Sequence, residues 1–139
     1  PNSVSVGSLD AMMVAASNED DRKADFSNSG PWVSVAAPGQ HILSTMPTYE
    51  VEMTSSAVPP EYRAQQNYDY ASGTSMAAPY VSALAALVFA QHPDWTGRQV
   101  QELIEDRADG QIYDNHLPHF ALLLLLGFGR IDACATLSP

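Results

Sequence analysis

Positive charge is scarce in this chain: six Lys and Arg stand against sixteen Asp and Glu, giving a formal net charge of -10 and a pI near 4.4. Such a surface repels phosphate backbones and anionic lipid, which argues against nucleic acid as a partner. Cysteine is nearly absent. Cys134 stands alone, so an internal disulfide is excluded and a structural zinc site has no ligand cluster to hold it. Long apolar runs are missing too: the longest, residues 120–126, falls far short of the roughly 20 residues a membrane span needs. No membrane span is expected, and the five leucines of that run belong to a buried strand or helix or, failing that, to an oligomer contact. The first residues, Pro1-Asn2-Ser3, carry no basic stretch or apolar run of the kind a secretory signal shows, so none is expected. Charged residues make up only 16% of the chain and hydrophobic ones 45%, which excludes a charge-expanded disordered chain and leaves enough for one packed domain of 139 residues.

What is present reads as strands followed by helices. Ser3-Val4-Ser5-Val6-Gly7-Ser8 alternates like a short strand, and residues 15–22, rich in Asn, Asp and Glu, read as surface loop running on to the Gly30-Pro31 turn. Trp32-Val33-Ser34-Val35-Ala36-Ala37 forms a second strand stopped by Pro38-Gly39, and Ile42-Leu43-Ser44-Thr45 a third, each short enough for a buried sheet. Residues 46–70 carry three prolines and four tyrosines, with Tyr49-Glu50-Val51-Glu52-Met53 as a possible hairpin arm. Residues 76–91 are apolar almost all round, the mark of a central helix buried on most sides; Pro79 requires it to start near Thr74 or Ser75 and Pro93 ends it. Thr96-Gly97-Arg98-Gln99 matches a capping box opening an amphipathic helix to about Arg107. Asp109-Gly110 marks a turn, and residues 127–133 a short strand leading to a terminal helix that carries Cys134 as a small core residue, with Asp132 capping that helix or making a surface hydrogen bond. The order predicts an α/β layer architecture.

The candidate chemistry lies at Gly73-Thr74-Ser75-Met76-Ala77-Ala78-Pro79. A serine heading a buried helix has free backbone N–H groups and the positive end of the helix dipole beside its hydroxyl, which stabilise negative charge formed in acyl transfer. Gly73 there admits another chain closely, and Ala77 and Ala78 keep the next turn compact. Ser75 or Thr74 acting simply as a helix cap is the alternative, since Ser and Thr are common caps.

That seven-residue string resembles the nucleophile motif of the subtilisin-like serine proteases, the subtilases. Further segments resemble successive landmarks of that family in its order: Val4-Ser5-Val6-Gly7, Phe26-Ser27-Asn28-Ser29-Gly30, Val35-Ala36-Ala37-Pro38-Gly39, Ile42-Leu43-Ser44-Thr45, His92-Pro93-Asp94-Trp95-Thr96 and residues 127–133. The resemblance implies a C-terminal portion of a subtilisin-like catalytic domain over residues 1–139, a single unit with a partial parallel sheet and a buried central helix starting at the nucleophile. It implies Ser75 as nucleophile, with Gly73, Thr74 and Met76 forming its loop, a peptide or protein substrate, no cofactor, and residence outside the cell. The family's triad runs Asp, His, Ser, and no Asp-Thr-Gly, Asp-Ser-Gly or His-Gly-Thr string occurs here; His41, His92, His116 and His119 do not match the family's base, and His116 and His119 read as loop residues. After Pro79 the family's His-Val-Ala-Gly is replaced by Tyr80-Val81-Ser82-Ala83, and Trp32 and Ser34 stand where several members place acidic cation ligands, so no metal site is carried over. A non-proteolytic or esterase-like module, binding peptides or pairing with itself as a homo-oligomer, is the reading of a different class.

Overall fold

The computed structural model describes residues 11–110 and 119–139. The strand expected at residues 3–8 and the landmark at Val4-Ser5-Val6-Gly7 lie outside the described residues, as does His116. Among these described residues four strands and four α-helices follow in order: β1 (Val14–Ser17), β2 (Val35–Pro38), β3 (Ile42–Thr45), β4 (Tyr68–Ala71), α1 (Thr74–Gln91), α2 (Gly97–Asp106), α3 (His119–Leu126) and α4 (Ala133–Leu137). β1 and β2 pair in parallel, Val14 opposite Val35 and Ser17 opposite Pro38. A third line extends this sheet without becoming a strand: Ala36 N–H donates to Gly129 O at 2.7 Å and Ile131 N–H to Ala36 O at 2.9 Å. Residues 127–133, expected as a strand, thus contribute a single bridge at Arg130, which also pairs with Asp109.

The period-2 alternation of β1 and β2 sorts their side chains between two layers. Ala16, Val35 and Ala37 face Ala77, Val81, Leu84 and Val88 of α1 and Val100 and Ile104 of α2. Ala15 and Ala36 face the opposite side, where Leu126 of α3 packs with Val33. Helices on both faces of a parallel sheet make this the expected α/β fold.

Several local expectations are corrected. Residues 15–17 are a fully buried strand, not loop; the Asn and Asp that suggested loop begin one residue later, in a turn where Asn18 Oδ1 accepts from Asp20 and Arg22 N–H. The second strand starts at Val35, because Val33 N–H is held back to Gly30 O in the turn that exposes Trp32. β3 is largely exposed and antiparallel to β4, with Ile42 opposite Ala71, so it belongs to a separate two-stranded sheet. Tyr49 to Met53 forms no hairpin arm. Its end winds into a short 3-10 turn, Glu52–Thr54, where the Thr54 hydroxyl accepts from Val51 N–H at 2.9 Å.

α1 runs as expected, but only the stripe Ala77, Val81, Leu84 and Val88 is buried, while Tyr80, Leu87 and Phe89 are exposed. Helix geometry explains this: Ala77, Val81, Leu84 and Val88 stand at i, i+4, i+7 and i+11, the one face that a helix lying on a sheet can turn toward it. α1 is also long and apolar enough to cross a membrane, with mean hydropathy 1.3, although polar residues interrupt its apolar run; its stripe lies on β1 and β2, the place of a layer helix. The run of residues 119–126 is helical, with Leu126 buried and Leu124 exposed. Cys134 is exposed, not core, because the five-residue α4 turns Thr136 inward and a residue two positions away lies on another face.

Candidate active site

β4 leads into α1 through Ser72 and Gly73, and this turn is pinned from two directions. Gly73 N–H donates to Gly39 O, just past β2, at 2.7 Å, and Ser72 Oγ accepts from His41 N–H at 3.0 Å. Gly73 is the N-cap of α1, and its carbonyl accepts from Met76 N–H at 3.0 Å and Ala77 N–H at 3.3 Å. No side chain caps the helix, so neither Thr74 nor Ser75 plays the capping role. Thr74 Oγ1 instead accepts from the Asn28 side-chain amide at 3.4 Å. Ser75 occupies the second helical position and is exposed. At that position its N–H and that of Thr74 have no acceptor within the helix, and both lie at the positive end of its dipole. Pro79 lies in the interior of the helix at its sixth residue, one turn later than a first-turn position.

Ser75 and Met76 also form part of one wall of an apolar groove of about 630 Å³. Pro79, Tyr80 and Ala83 continue that wall along α1, and Leu43 of β3, Tyr70 of β4 and Met53 of the intervening excursion close the other side. The excursion, residues 46–67, is internally braced. Met46 N–H donates to Asn67 O, Ala64 N–H to Met53 O, and Arg63 Nη2 to Val58 O at 2.8 Å and to Ser56 O at 3.1 Å.

The residues of the string Gly73 to Met76 are therefore brought together as one helix start, whereas His92 stands apart from it. His92 closes the far end of α1, roughly 25 Å away at 1.5 Å per residue, where it stacks on Trp95. His41 meets the turn through its backbone N–H, which donates to Ser72 Oγ. Among the described residues the Ser75 hydroxyl has no hydrogen-bond partner. One expectation moves to a different residue: a Cβ on Gly73 would find its nearest neighbour, Met76 Sδ, at an ordinary 3.4 Å, whereas one on Gly39 would meet Ala16 Cβ at 2.6 Å. In the sequence Gly39 is a strand stop and Asn28 a loop landmark, and contacts with residues so far along the chain leave no local signal.

Comparison with known proteins adds three findings. Residues 1–129 match the subtilase family, peptidase S8. Mycosin-2 of Mycobacterium tuberculosis is 38% identical over 135 residues, 97% of this chain and 21% of that protein; a cell wall-associated protease of Bacillus subtilis is 38% identical over 98 residues, 70% of this chain and 9% of its own length. The crystal structure of fervidolysin from Fervidobacterium pennivorans, described as a keratinolytic enzyme related to subtilisin, superposes with a TM-score of 0.73 at 32% identity, over 98% of this chain and 20% of that one. The chain thus spans about a fifth or less of the length of these relatives.

Proposed function

The chain belongs to the subtilase family, and from that premise we propose that Ser75 is the nucleophile of a serine-type endopeptidase. In this reading residues 1–139 are the C-terminal portion of the catalytic domain, a single unit. The observation that carries the proposal is the exposed Ser75 hydroxyl at the second position of α1, beside backbone N–H groups that the helix leaves free. Ser75 Oγ attacks the peptide carbonyl carbon and gives up its proton to a base, a role the family assigns to a histidine of an earlier motif. Negative charge gathers on the carbonyl oxygen, where the N–H of Ser75 and the helix dipole stabilise it. The C–N bond then breaks, the amine leaves with the proton, and water hydrolyses the acyl ester on Ser75. Gly73 and Met76 hold the turn on either side, and Thr74 is steadied by Asn28. Substrates are peptides or proteins. The name of the cell wall-associated relative supports an extracellular or envelope site of action.

A non-hydrolytic module is the competing reading, favoured by the lack of a partner for the Ser75 hydroxyl among the described residues. One experiment separates the two. The protein as its gene encodes it is incubated with a serine-reactive fluorophosphonate and examined by intact mass and peptide mapping. A single adduct on Ser75, lost in Ser75→Ala with an unchanged circular dichroism spectrum, is the expected result. An unlabelled wild-type protein, or turnover retained in Ser75→Ala, overturns the assignment.

A further inference from the structure

We propose that Gly39 is a positioning residue for Ser75, a reading that rests on Ser75 as the nucleophile. Gly39 is buried between the end of β1 and the turn that opens α1. Its N–H donates to Ser17 O at 3.0 Å, which prolongs the parallel ladder by one residue, and its carbonyl accepts from Gly73 N–H at 2.7 Å. The same residue is therefore the last rung of the sheet and the anchor of the helix N-cap. Space at this point is minimal: a Cβ on Gly39 would stand 2.6 Å from Ala16 Cβ and 2.8 Å from Gly73 O. Gly73 O is the atom that accepts from both Met76 N–H and Ala77 N–H, the bonds that close the first turn around Ser75. A methyl on Gly39 pushes on that oxygen, so the displacement passes directly to the turn carrying Thr74 and Ser75. Gly39 acts through Gly73 rather than on the hydroxyl itself; it fixes where the hydroxyl stands relative to the sheet.

Two contacts of the added methyl can be separated, because Ala16→Gly removes the Ala16 Cβ contact and leaves the one with Gly73 O. The test is a double-mutant cycle on Gly39→Ala and Ala16→Gly, read out by thermal midpoint and by the rate of fluorophosphonate labelling at Ser75. Gly39→Ala is expected to slow labelling on the order of 10²-fold, the cost of a misplacement near 1 Å. In the double variant the thermal midpoint recovers the part of the loss due to the Ala16 Cβ contact while labelling stays slow. Labelling at the wild-type rate in folded Gly39→Ala, or labelling that recovers together with the midpoint, overturns the proposal and leaves Gly39 a matter of strand packing. Amide exchange in the wild-type chain gives a second readout that needs no variant to fold: Gly73 N–H is expected to be strongly protected, and a freely exchanging Gly73 N–H overturns the clasp. Absence of labelling in the wild-type protein defeats the reading of Ser75 as nucleophile, a result distinguishable from the exchange measurement.

Discussion

Gly127 ends α3 with φ at 65°, and a Cβ placed on it would run into the carbonyls of Ser34 and Val33, so a side chain there meets both a left-handed backbone and the neighbouring chain. Gly127→Ala is expected to destabilise the fold by about 3 kcal/mol, measured as a fall in urea midpoint at unchanged slope. A shift of under half that size would mean that the loop before β2 yields. Residues whose role depends on near neighbours were legible in the sequence. Asp132 caps α4 as read, its carboxylate accepting from Ala135 N–H at 2.8 Å. Cys134 was misjudged, because a small apolar residue gives no hint of which way so short a helix will turn.

The excursion between β3 and β4 shows how a long connection can be ordered without a core of its own. Arg63 spans it from inside, its guanidinium donating to the carbonyls of Ser56 and Val58 through Nε and Nη2. Arg63→Ala is expected to raise hydrogen exchange and proteolytic cleavage across residues 55–63 at least tenfold while moving the global melting midpoint by under about 2 °C, since local openings are independent of the global transition. Equal loss at both levels would make the excursion part of the main cooperative unit. Elements with a self-contained signal were legible: α2 opens on the capping box of Thr96 and Gln99, with Gln99 N–H donating to Thr96 Oγ1 and Thr96 N–H to Gln99 Oε1. The strand β1 was not, because its four residues are followed at once by turn formers and its burial comes from α1 and α3, far along the chain. The exposure of β3 was equally hidden, as its partner β4 stands beyond a 22-residue detour.

The apolar faces left open on the molecule, Leu43, Met53 and Tyr70 around the groove and Leu87 and Phe89 on α1, form more surface than an isolated chain keeps in water without cost. The 139-residue chain by itself is therefore expected to self-associate, against the repulsion of its net charge of -10, so that association strengthens as salt is added. Sedimentation equilibrium at low and high ionic strength reads this out; a cooperative monomer of 15.0 kDa under both conditions would contradict it. The order of synthesis sets a further constraint. β2 lies in the middle of its sheet, yet the line that covers its second edge, Gly129 to Ile131, comes about 90 residues later in translation. A nascent chain emerging from the ribosome can pair β1 with β2 early, and then carries an open edge through the synthesis of the excursion and three helices. Arg130 can close the sheet beside Ala36 only after those elements have been made, and the interval before it is when a chaperone would have something to hold.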